Sequence, residues 1–148
     1  MLHFGQTVAK ITNMGLYRRE VIANLFYEVL QENVTECLAE FTPREEVVPL
    51  PTREELVVDY ALLDLAIKTP IYIFGVKEKE TPKLRLTAVA CLEFQKAGLP
   101  FSSVVIHQDF ESLSRTDRYI ITNAVDKQFT SLDEFASSGK QSIERLAA

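Results

Sequence analysis

Leu56-Val57-Val58-Asp59-Tyr60-Ala61-Leu62-Leu63, followed after a short connection by Ile71-Tyr72-Ile73-Phe74-Gly75-Val76-Lys77, is the stretch that decides the fold. Side chains alternate across a strand, so Val57, Asp59 and Ala61 are expected on one face and Val58, Tyr60 and Leu62 on the other. Both faces then carry apolar groups, which marks a central strand. The second run is almost continuously apolar, opens after Pro70, and suits a strand covered on both sides. Beyond it, Lys77-Glu78-Lys79-Glu80 leaves the sheet.

Pro82 then opens a helix running to about Ala97, with Leu84, Ala88, Cys91, Leu92 and Gln95 on its inner stripe and Gly98 and Pro100 as its stop. Ser102 to His107 reads as a third core strand around Val104-Val105-Ile106. A strand reached through a helix implies a parallel crossover. Ser114 with Asp117, and Ser131 with Glu134, have the spacing of helix caps, and Lys127 to Thr130 is a short extended piece between them. Upstream, Tyr17 to Asn33 repeats Val21, Leu25, Val29 and Leu30 at helical spacing, with Val8 to Asn13 as a weaker segment and Met14-Gly15 as a break. Pro43, Pro49 and Pro51 make residues 36–51 an edge strand and loop. The fold expected is a single α/β domain over residues 1–148, with a mixed sheet of four or five strands flanked by helices and a frayed or helical end from about 137. Val58, Tyr60, Phe74, Val76, Ala88, Leu92, Val105 and Ile120 are expected inside it.

Bulk composition agrees with one core. The 148 residues are 47% apolar and 25% charged, and a chain of this size buries roughly two-thirds of its unfolded surface. A net charge of −5 disfavours binding a phosphate backbone without a local basic patch. Two cysteines, Cys37 and Cys91, without paired spacing indicate neither a zinc site nor a disulfide framework, and Cys91 reads as a small buried hydrophobe. With no stretch resembling a signal or a membrane span, the expected location is the cytoplasm, away from membranes.

An acid on one strand and a lysine at the end of the next is the skeleton of a divalent-metal nuclease: acids hold Mg²⁺ and the lysine orients the attacking water. Asp59, Lys77 and Glu78 are the candidate catalytic set, with Glu80 or Glu28 as further carboxylates. Gly75, two residues before Lys77, stands where the second acid is needed. The other reading is that Asp59 forms a structural ion pair with Lys77, with no metal or other cofactor, and that Gly75 admits a close backbone approach. His107 and Asp109 end the third strand, where open α/β sheets place ligands, although a hydrogen-bonded histidine and a loop-capping aspartate are the ordinary account of them. Lys83, Arg85, Arg115 and Arg118 are the binding candidates of the flanking helices, against the ordinary reading of solvated charge. No phosphate loop, dinucleotide fingerprint or nucleophile elbow occurs.

From Val57 through Phe135, the chain resembles the C-terminal region of an uncharacterised bacterial and prophage protein family. Asp59, Pro70 to Val76, Cys91 to Lys96, Val104 to Phe110 and Ala124 to Phe129 carry that resemblance. It implies a phage, plasmid or genomic-island setting and contact with a host or defence protein. Asp59 and Lys77 also give a partial resemblance to the restriction-endonuclease-like, or PD-(D/E)xK, core, in a degenerate form because of Gly75. Three functions follow as expectations: a non-enzymatic binding or regulatory module, a Mg²⁺-dependent nuclease, or a structural homo-oligomer formed by covering the edge strand near residues 43–51.

Overall fold

The computed structural model describes residues 14–64 and 67–148. Its chain order is α1 (Met14–Cys37), β1 (Arg44–Val47), β2 (Val58–Leu62), β3 (Ile71–Val76), α2 (Thr81–Lys96), β4 (Ser102–His107), α3 (Arg115–Ala124), β5 (Lys127–Phe129) and α4 (Leu132–Ala147), with short 3₁₀ turns before β1 and α3. The five strands form one sheet in the order β1-β2-β3-β4-β5. The first three are an antiparallel meander, and β3, β4 and β5 run parallel. This is the expected α/β class: a five-stranded mixed sheet with four helices. Residues 8–13, read as a weak first helix, lie outside the described residues.

Two apolar layers sandwich the sheet. Phe26, Leu30 and Val34 of α1 and Leu132, Phe135 and Ile143 of α4 meet Tyr60, Leu62, Ile71, Ile73, Val104 and Ile106 on one face. On the other face, Leu84, Ala88, Cys91 and Phe94 of α2 and Ile121 and Ala124 of α3 meet Ala61, Tyr72, Phe74, Val76 and Val105. Every side chain of β3 is buried, as its unbroken apolar run requires. Ile71 to Val76 pairs residue by residue with Ser102 to His107.

Local chemistry sets the helix limits. Gly98 takes φ 77° beyond α2, while its N–H and that of Leu99 bond the carbonyls of Gln95 and Phe94, closing the helix in a Schellman turn. Ser114 and Ser131 accept from the N–H groups of Asp117 and Glu134, the caps read from their spacing. The tail is helical to Ala147 because Phe135 and Ile143 are buried against the sheet and α1. No described helix is long and apolar enough to cross a membrane.

Four expected placements change. Leu92 is 47% exposed and Gln95 is exposed as well, because α2 turns Thr87, Ala90 and Phe94 inward in their place. In α3, Ile121 takes the core position and Ile120 is only partly buried. A non-helical residue at Leu25, with φ −127° and ψ 31°, kinks α1, so the buried stripe runs through Phe26, Leu30 and Val34 while Leu25 is exposed. The alternation of β2 also fails at its start. Val58 packs with Ala61 on the α2 side rather than with Tyr60 and Leu62. Between the pairs Glu45–Tyr60 and Val47–Val58 stands Glu46 with φ 51°, a left-handed residue that twists the edge locally.

Phe74 is 1% exposed in the centre of the α2-side core. Phe74→Ala is expected to destabilise the fold by about 3–5 kcal/mol in chemical denaturation. An unchanged unfolding midpoint would contradict the central position of β3.

Candidate functional site

β2 and β3 meet α1 and the first turn of α2 around Asp59 and Gly75. The Asp59 carboxylate accepts the Gly75 N–H at 2.8 Å and the Lys83 ammonium at 3.0 Å. Lys83 also donates to the Gly75 carbonyl at 2.8 Å and lies 5.1 Å above the centre of the Tyr27 ring. The Tyr27 hydroxyl donates in turn to Glu80. Burial and then the adjacent Glu80 push the Tyr27 phenol well above its ordinary pKa, so it stays protonated and serves as a donor. The partner of Asp59 is thus Lys83 of α2, where the sequence reading had Lys77.

Leu30 closes the place of the second acid. A Cβ built on Gly75 would stand 2.3 Å from Leu30 Cδ2 and 3.4 Å from Phe26 Cε2, and both side chains are fully buried. Gly75 is required here by close helix-to-strand packing rather than by its backbone angles. A carboxylate at this position would have to displace part of the α1 contact with the sheet.

Beside this clasp lies a cleft of about 450 Å³ lined by Tyr27, Glu28, Leu30, Gln31, Glu45, Glu46, Asp59 and Tyr60. Gln31 donates to Glu45 at 3.1 Å and ties α1 to β1. Burial first, and then Glu45, Asp59 and Glu46 nearby, push Tyr60 up to about 12. The lining is acidic, with four carboxylates and no cationic side chain. Among the described residues, no three His, Cys, Asp or Glu side chains are grouped so as to hold a metal ion.

The other sequence candidates are scattered. His107 is 1% exposed, and its Nε2–H donates to Gln128 Oε1 at 2.7 Å while Gln128 Nε2 donates to Thr122. It acts as an interior strand-to-strand tie. Asp109 accepts the Glu111 N–H and caps the 3₁₀ turn. Arg85 bonds Asp117 through Nε and Nη2, linking α2 to α3. Arg118 bonds the Leu113 carbonyl and stacks over Phe110, and Arg115 is exposed at the start of α3. Lys77 is partly buried; the Glu78 N–H is taken by Gln108. Cys91 is fully buried as expected, and burial raises its thiol to about 12, which leaves it unreactive.

Tyr27, Glu80 and the role of Lys83 were not legible as one site. Tyr27 and Glu80 are 53 residues apart; Glu80 stood among the further carboxylates and Lys83 among the helix charges, and no spacing links either to Tyr27. Compared with known proteins, the chain matches no family model, no curated protein and no solved structure.

Two expectations follow. Gly75→Ala should cost about 1–3 kcal/mol by overpacking against Leu30, and less in a Leu30→Ala background. Equal costs in the two backgrounds, measured by urea denaturation, would contradict the contact. Burial lowers the His107 pKa below 6.5, against the opposing hydrogen bond to Gln128. The unfolded chain therefore takes up this proton first, so the contribution of His107 is complete above about pH 6.5 and is lost as pH falls through the folded value. Following the His107 Cε1 proton by NMR should show titration below 6.5; titration above it would contradict the buried neutral ring.

Proposed function

We propose that this protein is a non-enzymatic binding or regulatory module, built on a degenerate restriction-endonuclease-like core and acting on a host or defence protein in a phage or mobile-element setting. The observation that carries the non-enzymatic part is the Lys83 ammonium bridging the Asp59 carboxylate and the Gly75 carbonyl. A metal nuclease brings a carboxylate and neighbouring oxygens together around a divalent cation. In this chain a tethered side-chain cation occupies the equivalent position between the oxygens, and Leu30 fills the space of a second acid.

Charge supports the same reading. The cleft beside Asp59 carries Glu28, Glu45 and Glu46, and the chain has a net charge of −5. An acidic mouth repels a phosphate backbone and suits a protein partner with basic groups. The mobile-element setting rests on the sequence resemblance alone.

The test is cleavage of supercoiled DNA, single-stranded DNA and RNA by the purified full chain with Mg²⁺ or Mn²⁺. No cleavage is expected. Metal-dependent cleavage that disappears in both Asp59→Asn and Lys77→Ala would establish the nuclease instead.

A further inference from the structure

The face of α2 turned away from the sheet carries Leu86, Val89 and Leu92, which are 42%, 44% and 47% exposed. Spacing of three residues aligns them in one stripe. Leu84, Ala88, Cys91 and Phe94 already supply the packing of the opposite side. Isolated exposed apolar residues are ordinary on a protein surface, but three in line on one helix form a patch of the kind that marks a contact.

We infer that this stripe is a homodimer interface in which α2 packs antiparallel against α2 of a second copy, about a two-fold axis passing beside Val89. The stripe reads alike from both ends. Leu86 and Leu92 stand three residues either side of Val89, and Arg85 and Glu93 stand four residues either side. A two-fold axis makes the same patch serve both copies. It sets Leu86 against Leu92 of the second copy, Val89 against its own equivalent, and Arg85 opposite Glu93 of the second copy. Apolar groups thus meet apolar groups and cation meets anion. A parallel arrangement would instead oppose Arg85 to Arg85 and Glu93 to Glu93, and would align the two helix dipoles unfavourably.

The flanking charges stand at the rim of the stripe, each already engaged within its own chain. Arg85 has a side chain 58% exposed and engages Asp117 through Nε and Nη2. Glu93 is 29% exposed and is held by Arg53 at 3.1 Å and Lys96 at 3.6 Å, so the cross-dimer contact with Arg85 adds to these pairs at the rim while the three apolar residues form the centre. The edge strand expected from the sequence to mediate self-association is less suited to it, because Arg44, Glu45 and Glu46 of β1 are all exposed and charged edges resist strand pairing. Self-association through α2 is independent of whether the chain also binds a host protein.

Light scattering coupled to size exclusion on the full chain tests the inference. The expected mass is twice the 16.8 kDa chain, and Val89→Glu, which places two carboxylates beside the axis, is expected to yield a folded monomer with unchanged circular dichroism at room temperature and a melting temperature lowered only by the loss of association. In addition, Val89→Cys should form an intermolecular disulfide on mild oxidation while Tyr119→Cys, on the exposed side of α3, does not. A monomeric parent at the highest soluble concentration, a dimer that survives Val89→Glu, or cross-linking that fails to distinguish the two cysteine variants would each overturn it.

Discussion

The carboxylate of Asp59 ties three parts of the structure together at one point. It accepts the N–H of Gly75 on the neighbouring strand and the ammonium of Lys83 on α2, while Lys83 returns to the carbonyl of Gly75. Charge-assisted hydrogen bonds are stronger than neutral ones, and here they hold the start of α2 against the end of β3 at the point where the chain leaves the sheet. Asp59 and Lys83 side chains are 26% and 27% exposed, so water screens the pair in part. Its importance is geometric: with the carboxylate held, Gly75 stays under Leu30 and α1 can approach the sheet without a side chain between them.

That arrangement fixes which side chains can stand beside Asp59. A second acid at residue 75 would serve a metal but would collide with α1. Glycine avoids that collision, and the Asp59 carboxylate has Lys83 as its counter-charge. The acidic cleft left alongside, with Glu28, Glu45 and Glu46, keeps an electrostatic signature suited to cations or basic groups rather than phosphates.

The strands and their order were readable because each carries a local signal. Ile71 to Val76 is apolar throughout and is buried throughout; Pro82 and Gly98 bracket α2; Ser114 and Ser131 cap α3 and α4 through their own hydroxyls. What escaped depends on distant geometry. Whether Asp59 would pair with Lys77 or Lys83 turns on where the first turn of α2 lands relative to β3, and no periodicity encodes that. Leu92 was read as interior because it adjoins a buried stripe, yet the roll of α2 was set by Phe94 on the other side, which inserts edge-on against Tyr72 and Phe101. The packing of Val58 with the α2-side cluster was likewise hidden, since strand alternation alone places it with Tyr60.

The central claim is that Asp59 is a structural clasp whose counter-cation is Lys83, and stability measurements on Asp59 variants test it most directly. Urea denaturation of the parent, Asp59→Asn, Asp59→Ala and Lys83→Met, each with and without Mg²⁺, should show every variant less stable than the parent. Asp59→Asn keeps an acceptor for the Gly75 N–H and should lose about 1–2 kcal/mol; Asp59→Ala, which leaves that N–H without one, should lose more, and Mg²⁺ should alter none of the midpoints. Carboxylates gathered for a metal repel one another when it is absent, so removing one commonly leaves stability unchanged or raised. Asp59→Asn as stable as the parent, together with stabilisation of the parent alone by Mg²⁺, would contradict the clasp and return Asp59 to a metal site.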